Sequence, residues 1–156
     1  MANAVITGMG IVSCIGNSVD EVTENLKKGQ SGIIFNEEYK DMGFRSHVSG
    51  SIDLDLTELI DRKTLRFMSK AAAYAYIASN QALMQANIEI SNLDRSRIGV
   101  VAGSGGASPA AQIVASDIAR EKGPKRIGPY MVPRCMSSTV SACISTFFEI
   151  IEECFC

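Results

Sequence analysis

The chain has 156 residues, of which 46% are hydrophobic and 21% charged, a balance that fits one core-forming domain rather than a disordered chain. A net charge of −2 excludes a global field that would draw nucleic acid or an anionic membrane, so any electrostatic function is local. Five cysteines, an odd count, argue against a complete disulfide framework and for reduced thiols in a cytosol. The first residues, Met1-Ala2-Asn3-Ala4-Val5-Ile6-Thr7-Gly8, lack a basic n-region and reach glycine too soon for a signal peptide. No apolar run is long enough to span a bilayer.

In chain order, Ala4–Thr7 is a short apolar run ending at glycine, the pattern of a buried parallel strand. Asp20–Lys28 has helical spacing, with acids early and lysines late as the helix dipole favours, and Gly29-Gln30-Ser31-Gly32 ends it. Residues 33–60 read as surface strands and loops. From Asp61 to about Ala86 the pattern is helical, and its alanines at 71, 72, 73, 75, 78, 82 and 86 leave room for close backbone approach. Ile98–Ala102 is a second buried strand, followed by the loop Gly103-Ser104-Gly105-Gly106. A helix is predicted from Ser108 to Arg120, then a basic turn holding Lys125 and Arg126, then a small-residue helical segment over Tyr130–Ser145. Strand and helix alternate, so the expected class is α/β with a parallel sheet and crossover helices.

Several motifs imitate chemistry. Thr7-Gly8-Met9-Gly10-Ile11-Val12-Ser13 begins like a dinucleotide fingerprint, but Ser13 replaces the third glycine and no acidic-ended second strand follows. A glycine turn joining strand to loop is the favoured reading. The Gly103–Gly106 loop lacks the Gly-Lys-Ser/Thr of a phosphate-binding loop, and its glycines read as places where backbone passes close to something. His47 is the only histidine, sits in a polar loop and forms no Ser/His/Asp or Cys/His arrangement. Cys154-x-Cys156 lacks further ligands at zinc spacing, so no metal and no cofactor are expected. Ser141-Ala142-Cys143 lies in a small-residue helix, where a buried, inert thiol is the expected state.

Taken together, Val5-Ile6-Thr7-Gly8-Met9-Gly10-Ile11-Val12-Ser13-Cys14-Ile15-Gly16, Gly29-Gln30-Ser31-Gly32-Ile33, Arg45-Ser46-His47-Val48, Leu59-Ile60-Asp61-Arg62-Lys63, Gly99–Gly106 and Gly128-Pro129-Tyr130 resemble the first part of the β-ketoacyl-acyl carrier protein synthase I family. The resemblance runs from position 4 to about 145. It implies most of the N-terminal half of a thiolase-like fold, a mixed sheet with covering helices, hence an incomplete five-layer αβαβα architecture. Residues 1–146 would be that half and 147–156 a divergent tail. The abrupt change reads as a frameshift or altered end. Phe147, Phe148, Ile150, Ile151, Cys154 and Phe155 fall at helical spacing that would extend the preceding helix, at the cost of crowding Glu149, Glu152 and Glu153 at its negative end.

The resemblance also implies fatty acyl elongation by decarboxylative Claisen condensation of acyl- and malonyl-carrier. That chemistry uses a nucleophilic cysteine and two histidines, which the family places beyond residue 145. No catalytic residue is therefore assigned, and the chain alone is expected not to condense. The resemblance places Arg62, Lys63, Arg66, Lys125 and Arg126 on a face that docks acyl carrier protein. It places Gln112, Cys135 and Met136 at the far end of an acyl pocket across a homodimer interface formed by residues 128–145. The alternative is a non-catalytic partner or carrier-binding module resembling a polyketide chain-length factor. Expected partners are thus the carrier protein and a second copy or higher self-association, with no nucleic acid and no membrane, in the cytoplasm.

Overall fold

A computed structural model describes residues 3–106, 108–150 and, by backbone alone, 154–155. Helix α1 (Val19–Lys27) starts where the Ser18 hydroxyl accepts the N–H of Glu21, with Asp20 and Glu21 in its first turn and Lys27 in its last. Strands β1 (Ile33–Phe35) and β2 (Val48–Gly50) form an antiparallel hairpin with Phe35 opposite Val48, and the short helix α2 (Glu37–Asp41) lies between them. Helices α3 (Leu56–Leu59) and α4 (Arg62–Leu65) follow, each begun by an aspartate.

The single helix predicted from Asp61 to Ala86 is interrupted. After α4 the chain turns through Arg66–Met68, and Ser69 starts a new helix, α5 (Lys70–Gln85), by accepting the N–H of Ala72. A serine whose hydroxyl holds the free N–H of a new first turn competes with continuation of the old helix. Strand β3 (Val100–Val101) pairs in parallel with β4 (Cys154–Phe155), Val100 opposite Cys154. Helix α6 (Pro109–Lys122) begins at Ser108, as the sequence suggests, with proline in its first turn. The last predicted helix also divides, into α7 (Met131–Cys135) and α8 (Thr139–Phe147), with Met136 in extended backbone between them.

The core is the contact between α5 and α8. Ala72 and Ala73 are fully buried against Val140 and Cys143, with Ile60, Met68 and Ile77 around them. On the other side, residues 8–11 run along α5. An ideal Cβ on Gly10 would lie 1.8 Å from the carbonyl oxygen of Ala78, and one on Gly8 2.0 Å from that of Ala82. These glycines therefore serve helix contact, not the strand-to-loop turn expected from sequence. The alanines at 78 and 82 provide the close approach that the pattern implied.

Two further expectations fail. Ala4–Thr7 is irregular, and Val5 and Ile6 are 77% and 85% exposed, because no strand among the described residues offers its backbone a ladder. The described start of the tail, residues 148–150, does not prolong α8. Phe148 caps the helix, Glu149 takes a left-handed φ of 54°, and the N–H of Ile150 returns to the carbonyl of Ser145. Glu149 also pairs with Arg95 Nη1 at 2.5 Å, which draws its charge away from the helix's negative end. In the 103–106 loop a Cβ on Gly103, Gly105 or Gly106 would meet nothing within 4 Å, so close approach does not explain these glycines.

The total accessible surface is 11078 Å², where a complete globular chain of this mass exposes about 7,600 Å². Gly10→Ala is expected to destabilise the chain by about 1–3 kcal/mol, since the added methyl meets backbone rather than a movable side chain. Gly105→Ala serves as the control, within about 0.5 kcal/mol of wild type. Urea unfolding midpoints of the two variants check the assignment of Gly10 to the helix contact.

Candidate functional site

The basic residues at 62, 63 and 66 are positioned by α4. The Asp61 carboxylate accepts the N–H groups of Lys63 and Thr64 at 2.8 and 3.1 Å and so starts that helix. Hydrogen bonds from Thr64, its side chain first, hold the Asp61 carboxyl below the ordinary carboxylate value. Arg62, Lys63 and Arg66 are exposed, and no ion pair among the described residues neutralises them. Arg66 is fixed differently from the other two. Its guanidinium lies 4.8 Å from the Tyr130 ring and 5.2 Å from the Phe67 ring, and those rings meet edge to face at 5.0 Å. Tyr130 thus ties the basic edge to the start of the 128–145 segment, a link that sequence reading missed although Arg66 and Gly128-Pro129-Tyr130 were both in view.

Lys125 and Arg126 occupy a 3-10 turn, Pro124–Arg126, at the end of α6, and both are exposed. Of the three residues expected at an acyl pocket, Met136 lines a cavity among the described residues. That cavity, about 250 Å³ and mostly apolar, also touches Phe67, Ala142, Cys143 and Phe147. Gln112 is exposed on α6 and Cys135 is half-buried at the end of α7, neither of them on this cavity.

Cys143 is 6% exposed, and burial pushes its thiol up from the ordinary value, which disfavours the thiolate. His47 is half-buried rather than free in solvent, with its ring 5.9 Å from that of Phe35. Among the described residues no group of three or more His, Cys, Asp or Glu is placed to hold a metal ion, and the Cys154-x-Cys156 side chains lie outside those described. No helix among the described residues is long and apolar enough to cross a membrane.

A sequence model of the β-ketoacyl synthase N-terminal domain matches residues 1–151, and the chain belongs to that family. Within it, the chain is similar to 3-oxoacyl-[acyl-carrier-protein] synthase 1 of Escherichia coli K12, 49% identical over 96% of this chain and 37% of the relative's length. It is 46% identical to the enzyme of the same name from Haemophilus influenzae, again over 96% of the chain and 37% of that relative. Among solved structures, a β-ketoacyl synthase from Burkholderia phymatum STM815 superposes with a TM-score of 0.81 at 26% identity, covering 96% of this chain and 38% of that one. The fold is thus thiolase-like α/β, represented by an N-terminal portion.

The Cys143 assignment is open to direct chemistry. Maleimide labelling of the folded chain, with each thiol resolved by mass spectrometry, is expected to modify Cys14 before Cys143. The raised thiol value means that folding favours the neutral form, so this contribution to stability holds below the unfolded thiol's pKa and is lost as pH rises through the folded one. Labelling of Cys143 as fast as that of Cys14 at neutral pH contradicts the buried-thiol assignment.

Proposed function

We propose that this chain serves fatty acyl elongation as the N-terminal portion of a 3-oxoacyl-[acyl-carrier-protein] synthase of type 1. Its part is to receive the carrier and to build one wall of the acyl pocket. The observation that carries this reading is the 49% identity to the E. coli synthase 1 across 96% of the chain. In this reading Arg62, Lys63 and Arg66, with Lys125 and Arg126, face an acidic carrier protein. Arg66 suits that role because two rings already restrict it, so less rotamer entropy is lost when a carboxylate arrives. Met136, 51% exposed at the break between α7 and α8, suits a pocket wall that must adapt to chains of different length. Gln112, Cys135 and Met136 would then act across a homodimer interface formed by residues 128–145.

The reaction of such a synthase is decarboxylative Claisen condensation, which needs an activated thiolate and donors for the developing enolate. Cys143 does not meet that need, being buried in the α5–α8 core with its thiolate disfavoured. The described residues accordingly contribute docking and pocket, not the nucleophile.

Carrier binding tests the proposal. Holo-acyl carrier protein is expected to bind the chain with an affinity that falls as salt rises. The double variant Lys63→Glu, Arg66→Glu is expected to weaken binding about tenfold or more, which is about 1.4 kcal/mol or more. Unchanged affinity in that variant removes the docking face. Sedimentation at micromolar concentration is expected to show a dimer or larger species; a monodisperse monomer with residues 128–145 protected by their own chain removes the interface.

A further inference from the structure

A second cavity, of about 320 Å³, lies among α3, α4, α7 and the starts of α5 and α6; it touches none of the basic residues assigned to docking and none of Gln112, Cys135 and Met136, while Met131 and Arg134 on its wall belong to the 128–145 segment. Its polar side is cationic. Arg134 lines it, and Arg134 Nε is buried with no hydrogen-bond partner among the described residues. Buried donors of this kind are ordinarily satisfied, and an unmet one calls for an acceptor. Lys70 lines the same space and forms no ion pair among the described residues, and no acidic side chain borders the cavity.

The backbone adds to that charge. Ser69 and Ser108 both border the cavity, and they are the residues that start α5 and α6, helices of 16 and 14 residues. The positive ends of two long helix dipoles therefore open on one space that already holds a guanidinium and an ammonium. The remaining wall is apolar, built from Leu56, Met68, Val114 and Met131. The volume stands at the small end of ligand pockets, which begin near ~300 Å³.

From the unpartnered Arg134 Nε, the absence of any acid and the apolar far wall, we propose that this cavity binds a small amphiphilic carboxylate. Its head is received by Arg134 and Lys70 and its aliphatic chain lies against Met68, Val114 and Met131. A carboxylate matches the planar fork of a guanidinium, which offers two parallel donors. The apolar wall favours an anion with a hydrocarbon body over a bare one, whose remaining hydration that wall would strip without compensation. The site shares no residue with the docking face or the Met136 cavity; it shares Met131 and Arg134 with the segment assigned to self-association, and ligand titration and sedimentation read the two separately.

Calorimetric titration of the 156-residue chain with octanoate tests the site. Saturable binding is expected, with octan-1-ol and inorganic phosphate each at least about tenfold weaker. Arg134→Gln and Lys70→Gln are expected to weaken octanoate by a similar factor, and Ala110→Phe, which fills the cavity from an exposed position, to abolish it. Circular dichroism establishes that each variant is folded, and if Arg134→Gln is not, the other two decide. Octanol binding as tightly as octanoate would mean only exposed apolar surface, and phosphate binding as tightly would mean only a bare anion site. Either result, or octanoate affinity unchanged in Ala110→Phe, overturns the proposal.

Discussion

Helix α5 must be touched at backbone distance on one side while a second helix packs on the other, and the rest of the molecule is arranged around that demand. On the first side only glycine fits, at positions 8 and 10, because the carbonyl oxygens of Ala82 and Ala78 occupy the space of any Cβ. The segment so placed has no strand beside it among the described residues, and α5 itself supplies what a ladder would. Gln85 Oε1 accepts the N–H of Met9 at 2.6 Å and Gln81 Oε1 that of Ile11 at 2.9 Å. Gln81 then donates from Nε2 to the carbonyl of Asn17 at 2.7 Å, which carries the attachment on to the start of α1. On the second side Ala72 and Ala73 let α8 settle against the helix, and Tyr76 closes the end of the contact by stacking on Phe148 at 5.1 Å.

This arrangement leaves the core small for the chain. No large side chain among the described residues is wholly enclosed, whereas Val5, Ile6, Val101 and the whole of β1 are more than half exposed. An excess of surface of this size, much of it apolar, is a thermodynamic demand for cover rather than a scatter of ordinary exposed residues. The chain spans a little over a third of the length of the relatives it matches. Among the described residues its two sheets have two strands each, so every strand keeps one edge without a partner. The two-residue pairing of β3 with β4 is the clearest instance.

The parts legible in the sequence were those decided by local chemistry. Acids early and lysines late marked α1, and the helix expected from Ser108 to Arg120 is α6, each within two residues of its observed ends. Alanine spacing marked the helix that others approach. The misread parts depended on partners at long range or on competition at a single residue. Val5-Ile6 has the composition of a strand, yet a strand is a paired object and its pairing is not a local property. Ser69 and Met136 lie inside helical periodicity, and there the count of apolar residues could not reveal that a cap or an extended residue interrupts it. Glu149 is a poor residue for a left-handed turn, so nothing in its type announced the end of α8.

Those interruptions are where the candidate sites arise. Had α4 continued into α5, Arg66 would have projected from a regular helix face; the turn at Arg66–Met68 instead brings its guanidinium over Phe67 and Tyr130. Had α7 continued into α8, Thr139 would have met its own helix; the break at Met136 lets its hydroxyl donate to the carbonyl of Pro133 and fixes α7 against α8. Arg134, one residue beyond Pro133, is held there with its Nε buried, facing the start of α5 that the first break created. The two arginines thus differ in consequence because of backbone, not side-chain type. One is braced outward by rings, where a large charged surface can meet it. The other borders an open cavity of about 320 Å³ with an apolar wall, a size that suits a small ligand. Periodicity that ignored the breaks would have made both of them ordinary solvated cations.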